Sequence, residues 1–120
     1  MGLYSAASAD YANAMGIYSA ASADYANAIG SYANASAAYS VALGSLSVAD
    51  REAGMAGYDP VTGDKSADES SVWKANAGAV SIGSSADGEE ITRQITNVAA
   101  GTEDTDAVNV AQLKDTNNRI

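Results

Sequence analysis

The sequence predicts a mainly β fold, a thin solenoid of short parallel strands, on three observations. The fourteen residues MGLYSAASADYANA return as MGIYSAASADYANA with one change, Ile17 for Leu3. The phrase is then paraphrased as IGSYANASAAYSVA and begun again as LGSLSVAD. Gly2, Gly16, Gly30 and Gly44 fall once per repeat, where a coil needs a tight corner or close backbone approach. The stretch YSVALG, Tyr39 to Gly44, alternates large and small side chains in the two-residue period of a strand.

Each repeat supplies two strands. In the first, alternation sets Val41 and Leu43 on one face and Ala42 and Gly44 on the other. The same register groups Met15 with Asn13 and Ile29 with Asn27. The second strand, around Ser19 to Ala23, offers the small side chains Ser19, Ala21 and Ala23 to the interior. We expect the large residues of one strand to meet these small ones inside the roll. Asn13 and Asn27 would then point inward and hydrogen-bond from turn to turn as stacked amides.

A helical alternative exists. Tyr4, Tyr11, Tyr18, Tyr25, Tyr32 and Tyr39 recur every seven residues, and an alanine recurs at the same spacing from Ala7 to Ala56. Such a period could mark the seam of an alanine-rich coiled coil. The glycines oppose it, since each costs a helix interior about 1 kcal/mol relative to alanine. Ser, Asn, Asp and Tyr are indifferent or poor helix formers. Residues 1 to 49 also hold no Glu, Lys, Arg or Gln to flank a seam.

Composition narrows the function. The 120-residue chain carries a net charge of −9 with six basic residues, which argues against nucleic acid as a partner. It has no Cys and no His, so thiolate chemistry and a Ser-His-Asp arrangement are both excluded. Apolar bulk is scarce, with no Phe and one Trp. Stability therefore calls for stacked repeats or further chains. There is no signal-peptide pattern and no transmembrane run. The start at a repeat boundary and the end inside a helical pattern suggest a piece of something longer.

The remaining candidates have simpler readings. Asp59, Asp64 and Asp68 accompany the turn formers Asp59-Pro60 and Thr62-Gly63 and read as a solvated turn. EDTD, Glu103 to Asp106, lacks the glycine and distal glutamate of a calcium loop and suits the positive end of a helix that we expect to begin near Thr105, capped by Asp104 or Thr105. No cofactor or metal is expected. Trp73 could be an exposed ligand anchor or a buried plug between chains, and a single Trp among small residues reads as packing. Tyr4, Tyr18 and Tyr32 would form one ladder and Tyr11, Tyr25 and Tyr39 a second, stabilising the roll and offering an adhesive surface. Val110, Leu113, Asn117 and Ile120 are spaced three, four and three apart, the seam of a parallel coiled coil.

SVALG (Ser40 to Gly44) and AVSIG (Ala79 to Gly83) resemble the head repeats of YadA-like trimeric autotransporter adhesins. RQITNVAAGTEDTDAVNVAQLK, Arg93 to Lys114, resembles the neck that joins such heads to a stalk. The stretch from Ala53 to Asn76 breaks the period and looks like their head insert motif, expected as a hairpin excursion from the roll. Two passages depart from the pattern: SSADGEEITRQ is longer than the usual run into the neck, and the early repeats read NAMG and NAIG where the family has SVAIG.

The resemblance implies a fold of three parallel left-handed β-rolls, a neck and a short three-stranded α-helical coiled coil. It divides the chain into head repeats (1–52), insert (53–78), last repeat and run into the neck (79–92), neck (93–109) and stalk start (110–120). On the small face of Ala14, Gly16, Ala28, Gly30, Ala42 and Gly44 the three rolls would meet. It further implies a non-enzymatic surface adhesin, held at the outer membrane by an anchor outside this sequence, with matrix or cell-surface ligands. A plain structural spacer is the alternative.

Overall fold

The computed structural model describes residues 2–119. Its first half is a parallel β-solenoid of about three turns. β1 (Ala6–Ala7), β3 (Ala20–Ala21), β5 (Asn34–Ala35) and β7 (Val48–Ala49) stack as one sheet. β2 (Asn13–Met15), β4 (Asn27–Ile29), β6 (Val41–Leu43) and β10 (Val80–Ser81) form the other. Pairing is in register at the repeat length: Ala14 lies on Ala28 and Ala28 on Ala42. One repeat is thus one coil, and the seven-residue period of tyrosine is the spacing between its two corners.

The corners show why. Each is a four-residue turn closed by an N–H to C=O bond of 3.1–3.2 Å, from Ser19 to Gly16 and from Ala26 to Ala23, for example. The third position of every such turn is Tyr4, Tyr11, Tyr18, Tyr25, Tyr32, Tyr39 or Leu46, at φ between 58° and 65°. Glycine or asparagine is the usual occupant of that left-handed position. The recurring glycines stand two positions earlier, at the first residue of alternate corners, for a different reason. A Cβ on Gly30 (φ +127°) would lie 2.6 Å from the carbonyl carbon of Gly44 in the next coil.

The interior overturns the expected facing of the first strand. Ala14, Ala28 and Ala42 are buried, whereas Met15, Ile29 and Leu43 point out of the roll at 43%, 38% and 44% exposure. The two sheets lie so close that only alanine and serine fit between them. Ala21, Ala26, Ala33, Ala35 and Ala49 complete that core, with Ser19, Ser40 and Ser47. The serine hydroxyls are satisfied by backbone carbonyls: Ser19 donates to Gly16 at 2.8 Å and Ser47 to Leu43 at 2.9 Å. On the second strand the expected facing stands for Ser19 and Ala21, and Ala23 is half-buried. Asn13 does donate to the amide oxygen of Asn27 at 3.0 Å, but on the outside of the roll. Because the small residues line the interior of one chain, they cannot also be the face on which rolls meet.

After Asp50 the chain leaves the solenoid. Val80 stacks on Val41, the place that Met55 would take if the spacing continued. The excursion is pinned at its base by Gly54 to Ala75 and Gly57 to Trp73 backbone bonds, both 2.8 Å, and an Ala56–Lys74 bridge. It carries an antiparallel hairpin of β8 (Tyr58–Asp59) and β9 (Asp64–Lys65). The run into the neck folds back through an antiparallel bridge between Ser84 and Ile91.

The chain ends in α1 (Val110–Asn117). Its start corrects the expectation of Thr105. Asn109 is the N-cap, its side chain accepting from the Gln112 N–H, while the Gln112 side chain accepts from the Asn109 N–H. Glu103 to Asp106 form a separate turn ahead of the helix, closed by Asp106 N–H to Glu103 C=O at 2.9 Å.

Candidate adhesive surface

Both tyrosine ladders form. Tyr4, Tyr18 and Tyr32 stack with ring centroids 4.9 and 5.2 Å apart, and Tyr11, Tyr25 and Tyr39 with 5.0 and 4.7 Å. Planes are inclined by 6° to 23°, so each ring covers the face of its neighbour. All six remain exposed along their edges. The stacking follows from the corners: an identical turn in each coil places each ring one coil above the last, near the strand spacing of about 4.8 Å.

The two ladders have different surroundings. The corner of Tyr4 and Tyr18 also carries the exposed aliphatic residues Leu3 and Ile17, and Leu46 takes the place of a tyrosine in its fourth coil. This corner is continuous in sequence with Met15, Ile29 and Leu43, so an apolar band runs along one side of the roll. The other corner pairs Tyr11 and Tyr25 with Asp10 and Asp24. Asp24 accepts a hydrogen bond from the Asp10 N–H at 3.2 Å.

Below the last coil, Arg93 caps the solenoid. Its Nη2 donates to the Ser45 carbonyl at 2.8 Å, and its Nη1 to the Ile82 carbonyl at 2.7 Å and the Ser47 hydroxyl at 3.2 Å. The guanidinium lies against Gly44, where the next coil's glycine would otherwise stack. The sequence marks Arg93 only as the first residue of the neck-like stretch.

The neck is held by side chains bonding to backbone. Gln112 Nε2 donates to the Gly101 carbonyl at 3.1 Å, its Oε1 accepts from the Gly101 N–H, and Asn109 Nδ2 reaches the Val98 carbonyl. Asp106 accepts from the Thr102 and Glu103 N–H groups at 2.9 and 3.1 Å, which holds its carboxyl below the usual range. Val110 and Leu113 are exposed, as is Asn117. Ile120, the last member of the expected seam, lies outside the described residues.

Asp59, Asp64 and Asp68 each accept from backbone N–H groups close by in their own turns, from Val61, Lys65 and Ser70 respectively. The Ser70 bonds lower the Asp68 pKa. Among the described residues no three acidic side chains converge as a metal site, and no helix is long and apolar enough to cross a membrane. Trp73 is 37% exposed in a groove between the excursion and the last coil, beside Met55 and Val72.

The described chain is thus a parallel β-solenoid that passes through a side-chain-braced segment into a helix. Residues 94–120 match the family described as the coiled stalk of trimeric autotransporter adhesin. The autotransporter adhesin BadA of Bartonella henselae is 65% identical over 68 residues, 57% of this chain and 2% of that protein. The trimeric autotransporter adhesin AtaA of Acinetobacter sp. (strain Tol 5) is 46% identical over 76 residues, 62% of this chain and 2% of that protein. The chain therefore spans about 2% of the length of these curated relatives. The crystal structure of the collagen-binding domain of the Yersinia adhesin YadA superposes with a TM-score of 0.63 at 30% identity, over 98% of this chain and 57% of that one. The chain is thus similar in sequence to trimeric autotransporter adhesins and in fold to the YadA head, with the stalk family matched over its C-terminal residues.

Proposed function

We propose that this chain is the head and neck of a bacterial surface adhesin and works as a parallel homotrimer, held at the outer membrane by an anchor outside this sequence. Its role is non-enzymatic: multivalent attachment to host matrix, to cells or to other bacteria. The observation that carries the reading is the superposition on a collagen-binding domain over 98% of the chain. The exposed aliphatic face of Met15, Ile29 and Leu43 supports three chains, because a small soluble roll gains by covering such a band. Three copies of a repeated surface would convert weak contacts into strong attachment by avidity. The share of the relatives covered favours a second reading, a rigid spacer whose binding partner sites lie elsewhere. Immobilised collagen, fibronectin, laminin and abiotic surfaces decide between them when challenged with the isolated trimer. Retention on any of these supports adhesion; passage through all of them leaves the spacer.

A further inference from the structure

We propose that Asp87-Gly88, in the run between the last coil and the neck, is a self-modification site, where the chain converts its own aspartate to isoaspartate without an enzyme. This run is a small hairpin. Its base is fixed by two backbone bonds of 2.9 Å between Ser84 and Ile91. Its tip, residues 86–89, is a turn closed by the Glu89 N–H donating to the Ala86 carbonyl at 3.0 Å, with Gly88 third at φ +75°. Residues 85–90 are all exposed, as suits a loop tip open to chemical change. The proposal stands apart from the adhesion and trimer readings.

The reaction needs a main-chain nitrogen that can reach the preceding carboxyl carbon. The Gly88 nitrogen attacks the Asp87 side-chain carboxyl carbon, a C–N bond forms, and the amide proton and carboxyl hydroxyl leave as water. The product is a five-membered succinimide. Water then adds back to either ring carbonyl. Opening at the main-chain carbonyl leaves the peptide running through the Asp87 side chain, with the α-carboxylate free; opening at the other restores aspartate. Water is the only co-reactant. Gly88 has no side chain to obstruct the attack, and a Cβ there would meet nothing within 4 Å, so the tip has room to form the ring. Neither the Gly88 N–H nor the Asp87 carboxylate is tied up in a hydrogen bond among the described residues. Elsewhere the same step is opposed. No other Asp and no Asn precedes a glycine. Pro60 has no N–H to offer Asp59. The carboxylates of Asp64, Asp68 and Asp106 are held by backbone N–H groups. The Tyr25 N–H that follows Asp24 is bound to the Asp10 carbonyl at 2.9 Å. Isomerisation adds one methylene to the main chain. Because the Ser84 and Ile91 bonds hold the base, the added length is taken up at the tip, and the solenoid and neck keep their places.

The full chain, held folded in neutral buffer at body temperature for weeks and sampled at intervals, tests the site. Isoaspartyl methyltransferase with labelled S-adenosylmethionine counts isoaspartate, and peptide mapping with electron-transfer fragmentation locates it. Endoproteinase Asp-N, which cuts before aspartate but not before isoaspartate, gives an independent reading. Label should rise with time at Asp87, with the cut between Ala86 and Asp87 lost in proportion. The mass should show a transient deficit of one water and then return. Asp87→Asn should label severalfold faster, because ammonia leaves an amide more readily at neutral pH than water leaves a carboxylate. Asp87→Glu should not label, since its ring would need six members. Both variants leave the Ser84 and Ile91 bonds intact, so their thermal midpoints should match that of the parent, as should that of the aged chain. An unlabelled Asp87 at the end of storage, label in Asp87→Glu at the parent's level, or label spread evenly over the other aspartates would overturn the site. A lowered midpoint in the aged chain would overturn its confinement to the hairpin tip.

Discussion

The tyrosines are held where tyrosine is uncommon. A left-handed backbone costs a non-glycine residue about 1–2 kcal/mol, and six tyrosines and Leu46 adopt it in consecutive corners. Ring stacking returns about 0.5–1.5 kcal/mol per pair, and Tyr25 stacks on both sides. The two terms are separable by substitution. Tyr25→Ala should lower the thermal midpoint more than Tyr25→Gly, because both lose the rings but only glycine is released from strain. Thermal melts of the two variants check this, and the reverse order would mean that the corner is not strained. Gly30 meets a harder limit. Gly30→Val would drive a side chain into Gly44 and Ser45 backbone atoms 2.6–2.7 Å from the new Cβ. Overpacking typically costs about 1–3 kcal/mol, and here backbone strain adds to it. Ser31→Val, one position on, should be mild. Equal melts for the two would place Gly30 outside the tight corner.

At the scale of elements, what could be read depended on whether the signal was periodic. The coil, its parallel stacking, its tyrosine ladders and the hairpin in the excursion follow from repeat spacing and turn chemistry. Alternation establishes which residues share a face, but not which face is inside. Treating Val41 and Leu43 as core followed the habit that large apolar residues are buried. Here the narrow gap between sheets admits only Ala42 and its equivalents. The helix start was misplaced because an acidic run suits both a helix N-terminus and an Asp-capped turn. The stronger signal was Asn109 followed by Gln112, the spacing of a capping box. Asn109→Ala should therefore destabilise the helix by about 1 kcal/mol, seen as reduced amide protection from Val110 to Leu113, with the roll unaffected. Asp106 gives the neck a pH dependence of defined sign. Its folded pKa is lowered by the Thr102 and Glu103 bonds, so its contribution is complete above the unfolded carboxylate pKa of about 4. It is lost as pH falls through the lowered value. Asp106→Asn should loosen the turn at neutral pH and flatten its acid response, measured by hydrogen exchange of the Thr102 and Glu103 amides.

The whole molecule poses the question of what the roll does with its outward large residues. Met15, Ile29 and Leu43 stack in register on three successive coils, with Ile17 and Leu46 at the adjoining corner. Among the described residues this band stays largely exposed, while the alanine core within is buried. Assembly and chain folding should therefore respond to different substitutions on the same strand. Ile29→Glu places charge on the outer band without entering the core. If the band lies between the chains of a homotrimer, the variant should yield folded, β-rich chains that associate less well, because like charges would then meet across it. Ala28→Leu, its neighbour, puts extra methyl groups between the two sheets and should unfold the roll itself, at about 1–3 kcal/mol per chain. Light scattering and circular dichroism on the two variants separate the effects. The stalk offers an independent handle on chain number. If Val110, Leu113 and Asn117 form the seam, Asn117→Ile in a chain with a longer stalk should raise the thermal midpoint while relaxing register, since a buried amide gives up stability for alignment. A head that stays trimeric after Ile29→Glu with its stalk intact, but dissociates when the stalk is removed, would show the band and the seam as two additive interfaces. Dissociation with the stalk intact would make the band the dominant one. Unchanged association in both forms would remove the band from the interface altogether and leave Met15, Ile29 and Leu43 as surface that meets some other partner.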